Sequence, residues 1–320
     1  MRPLVSTASS FAAPTVDKVE RLLEVLAALR EDPLLGSAFV LHGGTALNVF
    51  SDELHRLSVD VDLMYVGQLE VSAMQAERPR VDTRLREVAR KLGYAVRGTN
   101  DEHSGQTYRL RYGDEYIKID VTYLARVALL EPIEQRCPIC APPVSFPVLD
   151  RRELVAGKVK ALMERTASRD LYDLARMAAS NPSAMRDPLL RALVIRAIST
   201  ADPFPAVRDP VEALSRFAEP TEELVESLRS VVAADDEPDF PAMCSRVAAF
   251  LAPYSALTVP ESEYFRLLDE ESTDLPELLL SAWPHVLERA LSDPVMQWKV
   301  RNLKKRSPRR GGSCGHRPGS

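Results

Sequence analysis

The sequence is short of cysteine. Four cysteines in 320 residues do not make a disulfide framework. Cys137 and Cys140 form one CxxC, but a zinc ribbon needs a second pair, and Cys244 and Cys314 do not supply it. The pair reads as ordinary reduced thiols in a loop. Long apolar runs are also missing. None approaches the ~20 residues that a membrane helix needs. The opening Met1-Arg-Pro-Leu-Val-Ser has no apolar stretch of the signal-peptide kind. A cytoplasmic protein without membrane contact is expected. Acid is absent from one region: from Lys299 onward there are eight basic residues and no Asp or Glu. The net charge is −5, so taking those eight cations away leaves −13 on the rest. A basic tail on an acidic body suits contact with phosphate; the plainer reading is a solvated, disordered end.

What is present is enough apolar material, 45% of residues, for one large domain or two modest ones. Residues 1–14 and 301–320 read as disordered tails. Thr15 can cap a helix to about Arg30, with Val19, Leu22, Leu23, Leu26 and Leu29 as its apolar stripe. Ala38–His42 reads as a buried strand. Gly43-Gly44 turns the chain into a helix from Thr45 to about Leu54. Leu57–Tyr65 alternates as a second strand. A helix is expected over 81–92, a strand near 94–97, and a hairpin of 106–112 with 115–123 turning at Gly113-Asp114. The proline-rich 131–149 reads as a connector. Asp150 with Glu153 suggests a capping box for a helix to about Thr166. Beyond Arg169 the pattern is helical, punctuated by prolines. The expected class is α+β, a mixed-sheet unit over 15–149 followed by an all-helical region over 150–300.

Chemistry concentrates in two stretches. On an alternating strand Ser58, Asp60 and Asp62 share one face, and Val59, Val61 and Leu63 the other. Two like charges that close repel unless something positive sits between them. A divalent ion does this, and magnesium favours oxygen ligands together with nucleotide phosphates. Asp120, alternating with Ile119 and Val121 on another strand, is a candidate third ligand. Gly43-Gly44-Thr45 at a strand-to-helix turn would let backbone N–H groups approach a phosphate. A Gly-Gly turn alone is weak; beside an Asp-x-Asp strand it points to phosphoryl or nucleotidyl transfer. On spacing alone Lys158 reads as a solvated lysine. Arg169, Asp170 and Asp173 read as helix-start charges and ion pairs; Arg56, Arg165 and Arg169 are candidates for steering NTP or RNA phosphates, with surface cations as the plainer reading of Arg56 and Arg165. His42, beside the glycines, reads as a packed or hydrogen-bonded histidine.

Four blocks then carry a resemblance: His42-Gly-Gly-Thr-Ala-Leu-Asn, Arg56-Leu-Ser-Val-Asp-Val-Asp-Leu, Ile117-Lys-Ile-Asp-Val, and Leu154–Arg165 with Arg169-Asp-Leu-Tyr-Asp-Leu. In order and content they resemble the AbiEii toxin family, which includes the mycobacterial MenT toxins. The resemblance covers roughly 35–180 and implies a DNA polymerase β-like nucleotidyltransferase core. It implies a toxin that uses an NTP and Mg2+ (or Mn2+) to add nucleotides to the 3′ end of tRNA, with a cognate antitoxin as partner. It makes Asp60, Asp62 and Asp120 metal ligands. It puts Lys158 on the incoming phosphates, and Asp173 in the catalytic set. It matches Ser58 to a serine that antitoxins phosphorylate in some relatives; a serine that merely hydrogen-bonds is the plainer alternative. The same metal site could instead nucleotidylate a protein or a small molecule such as an aminoglycoside. A non-enzymatic interaction protein would leave the coincidence of three acids and the Gly-Gly turn without a reason.

Overall fold

The computed structural model describes residue 4 and residues 10–51, 54–98, 104–201 and 209–306. Helix α1 (Ala13–Glu31) buries Val19, Leu22, Leu23, Leu26 and Leu29, the stripe expected from its 3.6-residue period. It begins two residues before Thr15 and is opened by Pro14 rather than capped by the threonine. The Thr15 hydroxyl instead donates to the Ser230 carbonyl at 2.8 Å. A short turn of helix, α2 (Leu35–Ala38), leads into β1 (Phe39–His42) and α3 (Gly43–Asn48). The last is shorter than the helix expected to Leu54. Strand β2 is Asp60–Tyr65, three residues later in its start than the alternation suggests.

Helix α4 (Val71–Lys91) starts ten residues before the expected 81 and carries Pro79 inside it. An interior proline usually costs about 3 kcal/mol. Here the first turns are held from outside: Met74 is buried, the Tyr65 hydroxyl bonds Glu77, and Arg78 reaches the Gly105 carbonyl at 3.2 Å. Strands β3 (Ala95–Gly98), β4 (Gly105–Tyr112) and β5 (Glu115–Thr122) follow, and Gly113, at φ +55°, makes the hairpin turn. The expected connector 131–149 contains two strands, β6 (Ile133–Arg136) and β7 (Ser145–Val148). Most of its prolines fall in the turn between them. Phe146 is buried, and Cys137 N donates to the Val144 carbonyl at 2.7 Å. Cys137 and Cys140 are both buried free thiols there.

Among the described residues the seven strands form one mixed sheet in the order β3-β4-β5-β2-β1-β7-β6. β2 runs parallel to β5 and antiparallel to β1, while β1 runs parallel to β7. The period of two gives the sheet one apolar face: Val61, Leu63, Ile117, Ile119 and Val121 are each at most 2% exposed. Each such side chain contributes roughly 1.5–3 kcal/mol of burial free energy. Helices α1 and α4 cover that face, and Arg21 and Arg86 stack over Tyr112 and Tyr108 of β4. The opposite face carries the polar half of the pattern.

The remainder is helical: α5 (Arg151–Glu164), α6 (Ser168–Ser180), α7 (Pro188–Thr200), α8 (Glu222–Arg229), α9 (Phe240–Ser255), α10 (Val259–Glu270), α11 (Glu277–Leu280), α12 (Pro284–Leu291) and α13 (Pro294–Arg306). Asp150 caps α5 through the Arg152 amide at 2.9 Å, but Glu153 does not complete a capping box. Its two oxygens accept the Leu129 and Leu130 amides at 2.9 and 2.8 Å, tying a loop to the helix. Helix α5 packs on both α3 and α7, so it joins the sheet to the helices. The expected tail 301–320 starts inside α13, which runs to Arg306; residues 307–320, and most of the expected tail 1–14, lie outside the described residues.

Candidate active site

The polar face of β2 and β5 sets the first half of the site. The parallel register pairs Asp60 with Lys118 and Asp62 with Asp120, while β1 brings His42 opposite Asp62. Three carboxylates therefore project from two neighbouring strands, which lie ~4.8 Å apart. Each is lightly engaged. Asp120 pairs with Lys118 and accepts the Thr107 hydroxyl at 2.5 Å. Asp60 lies 3.8 Å from the Arg169 guanidinium, both side chains about a third exposed (36% and 35%). Burial, aided by Asp62 and Asp120, pushes the Asp60 carboxyl up against the opposing pull of Arg169 and Lys118. Burial pushes the His42 imidazole down, with Lys158 adding to it against Asp62 and Asp120, so the ring is neutral near pH 7.

The Gly43-Gly44 turn is shaped by the acids and by what lies behind them. Gly43 has φ +70°, and a Cβ there would collide with the Asp62 carboxylate. Only glycine satisfies both conditions. A Cβ on Gly44 would sit 2.9 Å from both Arg56 Nη2 and Ser58 Oγ. The Thr45 hydroxyl donates to the Asp60 carbonyl, fixing the turn to the acid strand. Ser58 is 5% exposed, packed under Gly44 just before β2 begins.

Behind this turn lies a buried charge cluster. Arg56 grips Asp173 with two bonds, Nε to Oδ1 at 2.7 Å and Nη2 to Oδ2 at 2.8 Å. Asn48 adds a third, Nδ2 to Oδ1 at 3.1 Å. Lys158 Nζ sits 2.7 Å from Asp173 and 2.8 Å from Asp170, and Arg165 Nε donates to Asp170 at 2.8 Å. Burial would raise both acids, but Arg56 and Lys158 hold Asp173, and Lys158 and Arg165 hold Asp170, below the usual carboxylate range. Three cations against two acids give this cluster a net charge of +1 beneath an acid face.

A cavity of about 510 Å³ opens above the cluster, lined among others by Gly43, Gly44, Asp62, Lys158, Arg165 and Glu153. A second, of about 490 Å³, lies on the other side of Asp62, lined by Ser104, Gln106, Thr107 and Asp120. The two share His42, Asp62 and Thr122. The first cavity mixes cations (Lys158, Lys160, Arg165, Arg196) with acids (Asp62, Glu153, Glu164, Asp170, Asp293), the second is walled by Asp62, Asp120 and neutral donors, and of the three strand carboxylates Asp62 stands at their junction.

The donor set suits a hard divalent cation: carboxylate oxygens from adjacent strands, with space for water and substrate oxygens. Among the described residues no three such groups converge into a ready-made cage. Lys118 and Arg169 instead lie against Asp120 and Asp60. A cation arriving with its own phosphate ligands fits such an incomplete set better than an all-protein cage does.

The structure thus brings Gly43, Gly44, Thr45, Ser58, Asp60, Asp62, Asp120 and Lys158 together. Asp173 lies in the same assembly but beneath it, its oxygens taken by Arg56, Asn48 and Lys158; it positions Lys158. Arg56 is corrected from a surface cation to a buried one, 2% exposed, because its partner Asp173 is 117 residues away in sequence. Sequence reasoning missed Asn48, Thr107 and Asp170. Asn48, five residues after Gly43 in the same motif, was the one with a local signal.

Comparison with known proteins gives the family and the fold. Residues 24–252 match the family model described as "Nucleotidyl transferase AbiEii toxin, Type IV TA system". Among solved structures the chain is similar to MenT4, a nucleotidyltransferase toxin from Mycobacterium tuberculosis H37Rv, at 19% identity and a TM-score of 0.59, covering 85% of this chain and 94% of that one. No curated protein matches the sequence.

Proposed function

The chain belongs to the AbiEii nucleotidyltransferase toxin family, and from this premise we propose that it transfers nucleotides from an NTP to the 3′ end of tRNA, halting translation and growth. The observation that carries the reading is the junction of the two cavities at Asp62: Lys158 and Arg165 on one side for a triphosphate, Asp120 and Thr107 on the other for an attacking hydroxyl.

Asp60, Asp62 and Asp120 would hold a magnesium or manganese ion, which when bound neutralises charge on the transferring phosphoryl group. Lys158, anchored by Asp170 and Asp173, presents a fixed cation to the phosphates from the cavity floor. Gly43 and Gly44 keep side chains out of the space the phosphates need. Burial keeps the His42 imidazole from pairing as a cation with its strand neighbour Asp62. Arg169 lies where it can move between Asp60 and an incoming anion. As a toxin of a toxin–antitoxin system, the protein has an antitoxin as its expected partner, and the cytoplasm is its expected location. A phosphate on Ser58 would add negative charge beside Asp60, but the buried hydroxyl must first leave its place under Gly44.

The test is incubation of purified protein with magnesium, each labelled NTP and total tRNA. The expected product is labelled tRNA, absent with Asp60→Ala. Label on protein or on an aminoglycoside, with tRNA untouched, would replace the acceptor; equal labelling by Asp60→Ala would overturn the site.

A further inference from the structure

Helix α13 begins at the cavity that holds Lys158, since Asp293 and Val295 both line it. Its inner side is fastened. Met296 is buried against Ser199, and Lys299 Nζ donates to the Ala201 carbonyl at 2.9 Å at the end of α7. Its outer side repeats at helical spacing: Gln297, Trp298, Arg301, Lys304 and Lys305 are exposed. No acid occurs in the helix, and among the described residues Arg301, Lys304 and Lys305 make no ion pair. Trp298 is 47% exposed, an unusual cost for the largest of the side chains unless something covers it. Beside this face lies Arg126, whose guanidinium donates to the Leu69 carbonyl at 3.0 Å. Burial pushes its pKa down and Arg301 adds to this, with Glu70 as the opposing acid. Thirteen residues make a strip of about 20 Å leading away from the cavity.

An acidic body repels a polyanion over most of its surface, so a polyanion settles on the basic strip. Cations tracking a backbone with an aromatic ring among them are the features of a single-strand nucleic-acid groove. We infer that the Gln297–Lys305 face of α13 is the docking track for the RNA acceptor, with Arg301, Lys304 and Lys305 on its phosphates and Trp298 stacked on a base. The inference rests on the RNA-acceptor reading above.

The test uses the full chain, a 5′-labelled tRNA transcript, and anisotropy titrations from 50 to 200 mM salt. Arg301→Glu/Lys304→Glu/Lys305→Glu is expected to weaken RNA binding at least about tenfold and to flatten the log–log salt slope by about 2–3. Trp298→Ala is expected to weaken it about fivefold with the slope unchanged. NTP binding should be unaltered in both. Wild-type RNA affinity and slope in the triple variant, while the wild type labels tRNA, would overturn the track and leave the proposed function standing. A wild type that neither binds nor labels RNA would overturn both. Loss of affinity for the antitoxin with RNA binding unchanged would reassign the face to protein and overturn the inference.

Discussion

The acid face of the sheet and the charge cluster beneath it use the same residue types to opposite ends. On the face, Asp60 and Asp120 are about a third exposed, 36% and 32%, and each has one cation on one side. In the cluster, Asp170 and Asp173 are at most 1% exposed, and Arg56, Lys158, Arg165 and Asn48 occupy their oxygens. Carboxylates that must accept an ion and a substrate keep lone pairs and water. Carboxylates that must hold a lysine still are stripped of both. The difference teaches that acid content alone does not mark a reacting group: the degree to which its partners saturate it does.

Removing one buried partner should break the comparison most strongly. Asp173→Asn leaves Arg56 and Lys158 in the interior with a weaker acceptor, so a loss of about 3–5 kcal/mol is expected in chemical denaturation. The loss should be largest near neutral pH. Asp173 has a depressed pKa when folded, so its contribution is present above the unfolded carboxylate value and disappears as pH falls through the folded one. Loss within 0.5 kcal/mol would mean the cluster is not structural.

Glu153 sharpens the contrast, because it lies half-buried on the cavity wall with no cation among the described residues bonded to it. Burial pushes it up to about 7, although the Leu129 and Leu130 amides pull it down. The sign is the reverse of that for Asp173. The unfolded chain ionises near pH 4.3 and the folded one near 7, so stability falls as pH rises between them, by about 3–4 kcal/mol in all. Glu153→Gln should flatten that slope when denaturation is compared at pH 5 and 7.5. An unchanged slope would show that the folded glutamate is already ionised.

The legible parts of this molecule were local. Asp60 and Asp62 share a face because a strand repeats every two residues, and that needs no tertiary knowledge. Gly43 could be named as a turn, though its collision with Asp62 could not, since that depends on β1 pairing with β2. Asp120 was found by alternation, but only the parallel register puts it beside Asp62. Lys158 and Asp173 came from resemblance. Their pairing with Arg56 spans more than a hundred residues and leaves no local pattern. Strands β6 and β7 were hidden by prolines that mark the turn between them more than the strands themselves. Helix α4 was hidden in its first half because a proline and polar side chains masked its period, and tertiary contacts with Tyr65 and Gly105 decided it.

The central claim is that the acid face serves ion and substrate rather than the fold. Thermal melting of wild type and Asp62→Asn, each with and without magnesium and NTP, tests it most directly. The account predicts that without ligand the variant melts at or above wild type, because like-charge repulsion with Asp60 and Asp120 is relieved. With magnesium and NTP, the wild type should rise by several degrees and the variant should not. A variant that melts well below wild type without ligand, or that rises equally with it, would contradict the account.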